Sequence, residues 1–307
     1  MSVGATLSAS LLAVLARPST WPLALLGFLV RGGWLLVVAP IVVLPTPVGL
    51  ANVVAPLLED VAFGRHAGEL AVLAGVACIA AIVWLIGGGL IAAVAEAEGV
   101  ARVAEEEDIV VADVGAARRI LGARLVTYVP LAVATAWAAV RVVGVAYREL
   151  TVPSDVNVPV AWRIVAGAPD GFVIVAIAWL FGEVVGAIAC RVVVLRGARI
   201  GSGLRGGLHR LGRRPARTIG LGLVSSAALV IVLATTGLAA GATWNALGAA
   251  LATGDPSPTT VLLVALFVAL FAGGLVLIGL TSAWRAAIWT IEVGGTFGGG
   301  DAIRSGD

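Results

Sequence analysis

The stretch TVLLVALFVALFAGGLVLIGLTSAW, residues 260–284, contains no charged residue over 25 positions. An α-helix needs about 20 apolar residues to cross the ~30 Å hydrocarbon core of a bilayer. The stretch therefore predicts a transmembrane helix. Five further segments meet the same criterion: about Trp21 to Leu44, about Ala71 to Ala95, about Leu121 to Val145, Gly171 to Leu195, and Thr218 to Ala240. The pattern predicts an all-α, polytopic integral membrane protein with six transmembrane helices.

The composition points to the same class of protein. The chain has 307 residues, of which 60% are hydrophobic and only 12% charged, and its mean hydropathy is +1.06. A soluble globular chain is about 45–50% apolar and about 25% charged, so a water-soluble fold is excluded. The net charge of +2 is too small to indicate nucleic-acid binding.

Catalytic and metal-binding residue types are scarce. The only histidines are His66 and His209, and the only cysteines, Cys78 and Cys190, lie in separate apolar runs. These four residues show no spacing typical of a metal site or a disulfide framework. We therefore expect no metal, no cofactor and no enzymatic activity.

The distribution of arginine predicts the orientation. The loop between the fourth and fifth spans carries seven arginines and no acid, and the loop between the second and third carries four. Short cytoplasmic loops are enriched in Lys and Arg, so these loops and both termini are predicted to be cytoplasmic. All 20 basic residues are Arg, and Ala, Val and Gly dominate, a bias typical of GC-rich bacteria. The predicted location is therefore a bacterial plasma membrane.

A short pattern recurs along the chain. Trp84-Leu85-Ile86-Gly87 returns as Trp179-Leu180-Phe181-Gly182, 95 residues later. Each predicted unit has an amphipathic helix tipped with arginine, a span, an outer loop and a return span, over about 1–95, 96–195 and 196–292. This predicts one domain, 1–292, of three parallel helical hairpins with short cytoplasmic interfacial helices, and a flexible cytoplasmic tail, 293–307. The alternative is that spans rich in Gly and Trp match by composition alone.

Two motifs carry a resemblance to a known family. With the amphipathic leaders before alternate spans, Trp179-Leu180-Phe181-Gly182-Glu183 and Leu211-Gly212-Arg213-Arg214-Pro215 resemble six-span bacterial membrane proteins of the glycerophosphodiester phosphodiesterase membrane-domain type. The resemblance implies a fold and a membrane location. It implies no catalytic residues, because the soluble phosphodiesterase found fused to some members has no counterpart in this chain.

Two charged residues, Arg31 and Glu183, lie near the middle of predicted spans, where charges are costly and often functional. At 1.5 Å per residue, Arg31 is ~15 Å from one end of the first span and Glu183 is ~18 Å from the opposite face in the fourth. Both depths fall near the midplane, so we expect Arg31 and Glu183 to form an ion pair. The pair is interpreted either as a clasp between helices or as an anion or proton site.

The arginine-rich loop between the fourth and fifth spans has two interpretations. It is a topology signal, or it binds anionic lipid headgroups, to which each Arg near a membrane surface contributes about 1 kcal/mol. Leu204, Leu208 and Leu211 recur at helical spacing, so the loop is predicted to lie flat on the inner leaflet. The candidate headgroup residues are Arg196, Arg199, Arg205, Arg210, Arg213, Arg214 and Arg217.

Taken together, these patterns favour a non-enzymatic accessory or scaffold protein that contacts lipid or a partner membrane protein. The alternative is a small-solute or lipid transporter with a polar path near Arg31 and Glu183.

Overall fold

The structure, a computed structural model, describes residues 2–42, 67–113, 115–152, 154–155, 157–252 and 257–295. These residues form helices and no strand, which confirms the all-α fold class. Most of the predicted flexible tail, 293–307, lies outside the described residues. The α-helices are α1 Val3–Ala16, α2 Thr20–Phe28, α3 Trp34–Val38, α4 Ala67–Glu106, α5 Ala117–Thr151, α6 Val160–Gly167, α7 Pro169–Arg196, α8 Ile200–Arg213, α9 Pro215–Ala252 and α10 Pro258–Gly294.

In the described part of the chain, six helical segments are long and apolar enough to cross a membrane, as the sequence predicted. They are Thr20–Val38, Ala71–Glu106, Ala117–Thr151, Pro169–Arg196, Pro215–Ala252 and Pro258–Gly294. The chain is thus a multi-pass membrane protein. Four of these segments have 35 to 38 residues, or more than ~50 Å of helix at 1.5 Å per residue. They are longer than the predicted spans because their polar ends, rich in the good helix formers Ala, Arg and Glu, remain helical.

The described chain divides into two compact units. Unit 1 comprises Met1–Thr20, Ala97–Ala227 and Trp284–Asp307, and unit 2 comprises Trp21–Glu96 and Ala228–Ala283. The unit boundaries fall inside α2, α4, α9 and α10 and do not coincide with the three predicted repeats. The repeats and the three-hairpin arrangement therefore stay predictions.

Unit 1 contains the best-buried core, and that core lies at the helix ends beside the arginine-rich loops. We call the end of α4, the start of α5, the end of α7, helix α8, the start of α9 and the end of α10 the arginine-rich ends. Ile120 on α5, Ile188 and Val193 on α7, and Ile288 on α10 are all at most 1% exposed. By contrast, residues 71–87 of α4, in unit 2, are exposed without exception. Such an apolar helix surface fits contact with lipid, which is itself apolar.

The first membrane segment is broken. A π-helical turn, Leu29–Gly33, separates α2 from α3, and Gly32 has a φ of +101°. Glycine adopts this conformation readily because it has no Cβ. Arg31 lies within the turn, in unit 2.

Helix α8 packs along α7 and forms a helical hairpin with it. A Cβ at Gly203 would lie 3.0 Å from the Ala189 carbonyl oxygen, and one at Gly207 would lie 2.9 Å from the Val185 carbonyl oxygen. The order of these contacts makes α8 antiparallel to α7. The expectation that this segment lies flat on a leaflet is therefore corrected. The glycines that would weaken an isolated helix allow the two backbones to come into contact.

Candidate functional site

Glu183, near the middle of α7, is surrounded by three polar side chains from α5 and α10. Arg285 Nη2 donates a hydrogen bond to Glu183 Oε2 at 2.6 Å, and the Tyr128 hydroxyl donates one to Oε1. Arg124 Nη1 lies 3.9 Å from the same Oε1. The Glu183 side chain is only 15% exposed. We call these four residues the Glu183 cluster.

Two glycines on α7 bring α5 close enough to form this cluster. A Cβ at Gly186 would lie 2.8 Å from Thr127 Oγ1 and 3.0 Å from Arg124 Nη1, and one at Gly182 would lie 2.9 Å from the Thr127 carbonyl oxygen. Small residues four apart are typical of closely packed transmembrane helices. This close approach explains how Arg124 and Tyr128, both on α5, reach the Glu183 carboxylate.

The predicted Arg31–Glu183 pair requires correction. Arg31 Nη2 pairs with Glu96 Oε2, and both residues belong to unit 2, whereas Glu183 pairs with Arg285 in unit 1. The prediction compared depths along separate helices, and equal depth does not identify neighbouring helices. It also did not consider Arg124, which lies near the start of the third predicted span, or Arg285, which directly follows the last, as partners of Glu183.

A second buried carboxylate joins four helices at the arginine-rich ends. Glu292 on α10 accepts hydrogen bonds from Arg217 Nε at 2.9 Å and from Arg217 Nη2 at 2.6 Å. Arg210 Nη2 on α8 bonds Glu292 Oε1 at 2.9 Å, and Arg217 Nη2 also donates to Thr6 Oγ1 on α1 at 3.2 Å. The Arg217 contact is bidentate, the strongest geometry for an Arg–carboxylate pair. We call these four residues the Glu292 junction.

The predicted headgroup arginines therefore divide into two groups. Arg210 and Arg217, which are 15% and 22% exposed, pair with Glu292 within the protein, and their assignment to lipid stays a prediction. The exposed members are Arg196, Arg199, Arg205, Arg213 and Arg214. Because α8 runs along α7 from Val193 toward Val185, its last residues approach the level of Glu183.

Two further contacts fix the arginine-rich ends. Arg17 forms ion pairs with Glu105 at 2.6 Å and with Glu106 at 2.7 Å, and hydrogen bonds from the guanidinium to these carboxylates raise the pKa of Arg17 above its usual value. Arg119 pairs with Asp113 and donates to the Gly197 carbonyl oxygen at 2.6 Å, just after α7 ends. Glu105 and Glu106, two of the four consecutive acidic residues 105–108 near the end of α4, thus form ion pairs within the protein.

Sequence reasoning did not identify several residues of these contacts. They are Glu96, Arg124, Tyr128, Arg285 and Glu292. One signal was available for three of them: residues 70–95, 125–140 and 258–284 are uncharged, and Glu96, Arg124 and Arg285 are the charged residues that end these stretches. Tyr128 and Glu292 carried no comparable signal.

The described residues include no group of three or more His, Cys, Asp or Glu side chains placed to hold a metal ion. A cavity in unit 2 has a volume of about 20 Å³, which is room for about one water molecule. Its lining is apolar apart from Thr236, and it includes neither Arg31 nor Glu183.

Comparison of the chain with protein-family models, curated proteins and solved structures found no match. The resemblance to the phosphodiesterase membrane-domain proteins therefore stays a prediction.

Proposed function

We propose that the chain is a non-enzymatic accessory or scaffold protein that holds anionic lipid headgroups against its arginine-rich ends. We further propose that these ends are cytoplasmic, as the arginine distribution predicts, and that the membrane is a bacterial plasma membrane. The proposal rests on the exposed arginines of α8 and of the residues just before and after it. Contacts with neighbouring helices hold α8 in place.

Two sets of contacts fix α8. Gly203 and Gly207 pack against the α7 backbone, and Arg210 bonds Glu292 on α10. Arg205 and Arg213 are eight residues apart, and residues four apart follow one another along one helix face. Both are exposed. Helix α8 therefore presents two exposed cations about 12 Å apart along its axis, and each can pair with an anionic phosphate group.

The Glu183 cluster supports the clasp interpretation over the anion or proton site. The carboxylate already has three partners, and its side chain is largely enclosed. A buried ion with a structural role is usually compensated by an opposite charge and by further hydrogen bonds, as here. A transport path would need the carboxylate to exchange these partners for a solute.

The arginine pair on α8 provides the test. In the Arg205→Gln/Arg213→Gln variant, affinity for phosphatidylglycerol is expected to fall roughly 25-fold, at about 1 kcal/mol for each Arg. Affinity is measured by native mass spectrometry in mixtures of phosphatidylglycerol and phosphatidylcholine. The matched control is Arg141→Gln/Arg148→Gln, which also removes two exposed arginines, both in the part of α5 away from the arginine-rich ends.

Equal losses in the two double variants would contradict a specific headgroup surface on α8. The same spectra also test for a partner. A protein bound in fixed stoichiometry would support the scaffold role, and its loss in the α8 variant would assign the contact to this surface.

The broken first span favours a second candidate, a transporter of small solutes or lipids. Interrupted helices line the binding sites of many transporters, and Arg31 lies in the interruption, paired with Glu96. This function predicts that reconstituted protein dissipates an imposed proton or chloride gradient, and that Arg31→Gln abolishes the flux. No flux above protein-free vesicles would contradict transport of these two ions.

A further inference from the structure

Helix α1 leaves several large apolar side chains exposed. Its inward face carries two hydroxyl residues, Thr6 and Ser10, which are 1% and 0% exposed, beside the apolar Ala13 and Val14, which are 4% and 0% exposed. Its outward face carries leucines: Leu12 is 67% exposed, and Leu11 and Leu15 are 40% and 47% exposed. A surface helix in water normally turns its apolar stripe toward the core and its polar face outward.

The inward face is held by specific contacts within unit 1. The Trp284 indole Nε1 donates a hydrogen bond to the Leu7 carbonyl oxygen at 3.1 Å, and Arg217 of the Glu292 junction donates to Thr6 Oγ1 at 3.2 Å. Ser2 caps the start of the helix by accepting from the Ala5 amide at 3.2 Å. The outward position of the leucines is therefore fixed by the packing of α1.

The contact with Trp284 also gives the level of α1 relative to the membrane segments. Trp284 is the last residue of the uncharged stretch 258–284, and Arg285 follows it. Tryptophan is enriched where a transmembrane helix reaches the membrane–water interface. Residues 2–16 carry no charge, and Arg17, at the end of α1, is held by Glu105 and Glu106. Because Trp284 contacts Leu7, we expect α1 to lie at the level at which α10 reaches the membrane–water interface.

We infer that α1 is an in-plane membrane anchor that inserts Leu11, Leu12 and Leu15 into the acyl chains of the leaflet at the arginine-rich ends. Interfacial helices bury their apolar face about 5–10 Å into the boundary between headgroups and acyl chains. The inferred partner is the hydrocarbon of the lipid. This contact is independent of headgroup charge and of the proposed arginine surface on α8. Through Thr6, the anchor is connected to the Glu292 junction.

Spin labels test the anchor in the full chain reconstituted in phospholipid vesicles. The background variant is Cys78→Ala, in which the remaining cysteine, Cys190, is 0% exposed and therefore shielded from the labelling reagent. A single label is then attached at Leu12→Cys, Val110→Cys or Val76→Cys. Val110, in the loop after α4, is 82% exposed and serves as the water-facing control, and Val76 on α4 is 58% exposed and serves as the lipid-facing reference. Collision with dissolved oxygen is compared with collision with a water-soluble nickel chelate.

The anchor predicts that the label at position 12 collides more with oxygen than with the chelate, as at position 76 and in contrast to position 110. A label at position 12 that behaves like the one at position 110 would place the leucine face in water and overturn the inference. Protection from both reagents would mean that protein covers the face, and would overturn it equally. None of these results depends on phosphatidylglycerol affinity, so this inference and the proposed function can fail separately.

Discussion

Replacing Glu183 by alanine is expected to lower the free energy of unfolding by about 3–5 kcal/mol, the usual loss when one partner of a buried ion pair is removed. Arg285 and Arg124 would remain in place without the carboxylate, and the Tyr128 hydroxyl would lose its acceptor. The measurement is denaturant unfolding in detergent micelles. The control is Glu107→Ala, an exposed carboxylate near the end of α4.

If Glu183→Ala does not accumulate, Glu183→Gln keeps the claim testable. The glutamine amide still accepts from Tyr128 but carries no charge, so a smaller loss is expected. Losses no larger than that of Glu107→Ala in both Glu183 variants would mean that the cluster does not stabilise the fold.

Replacing Glu292 by alanine is expected to cost about 3 kcal/mol and to loosen α8, because Arg210 and Arg217 would lose their shared carboxylate in a buried site. The Glu292 side chain is only 6% exposed. Hydrogen–deuterium exchange should therefore rise across residues 200–213 and in α1, which Arg217 contacts through Thr6.

The control variant for Glu292→Ala is Glu98→Ala. Glu98 pairs with Arg102 one turn away on α4, and both side chains are at least 32% exposed. Exposed pairs of this kind contribute about 0.3–0.5 kcal/mol. Unchanged exchange in α8 after Glu292→Ala, with a stability loss no larger than that of Glu98→Ala, would contradict the junction.

The sequence was sufficient to predict the number and type of the long helices, because an uncharged stretch of 25 residues has few structural alternatives. It was not sufficient for their ends. The helices continue through polar segments, so Arg285 and Glu292 lie on one helix with the uncharged stretch. Counting apolar residues does not detect this continuation, because Ala, Glu and Arg are good helix formers.

The sequence was less informative about which helices contact one another. Arg31 and Glu183 were matched by depth, but a depth defines a plane and leaves every helix that crosses it as a possible partner. The packing glycines contain more information. The four-residue spacing of Gly182 and Gly186 is typical of a close helix contact, but only the structure identifies Thr127 and Arg124 as the residues on the other side.

The central claim is that Glu183 and Arg285 form a structural clasp between α7 and α10. A double-mutant cycle with Glu183→Gln, Arg285→Gln and the double variant measures their coupling directly. The account predicts a coupling energy of about 2 kcal/mol, within the range for contacting residues of one network, so that the double variant is more stable than the two single losses added together imply. A coupling energy indistinguishable from zero would contradict the clasp.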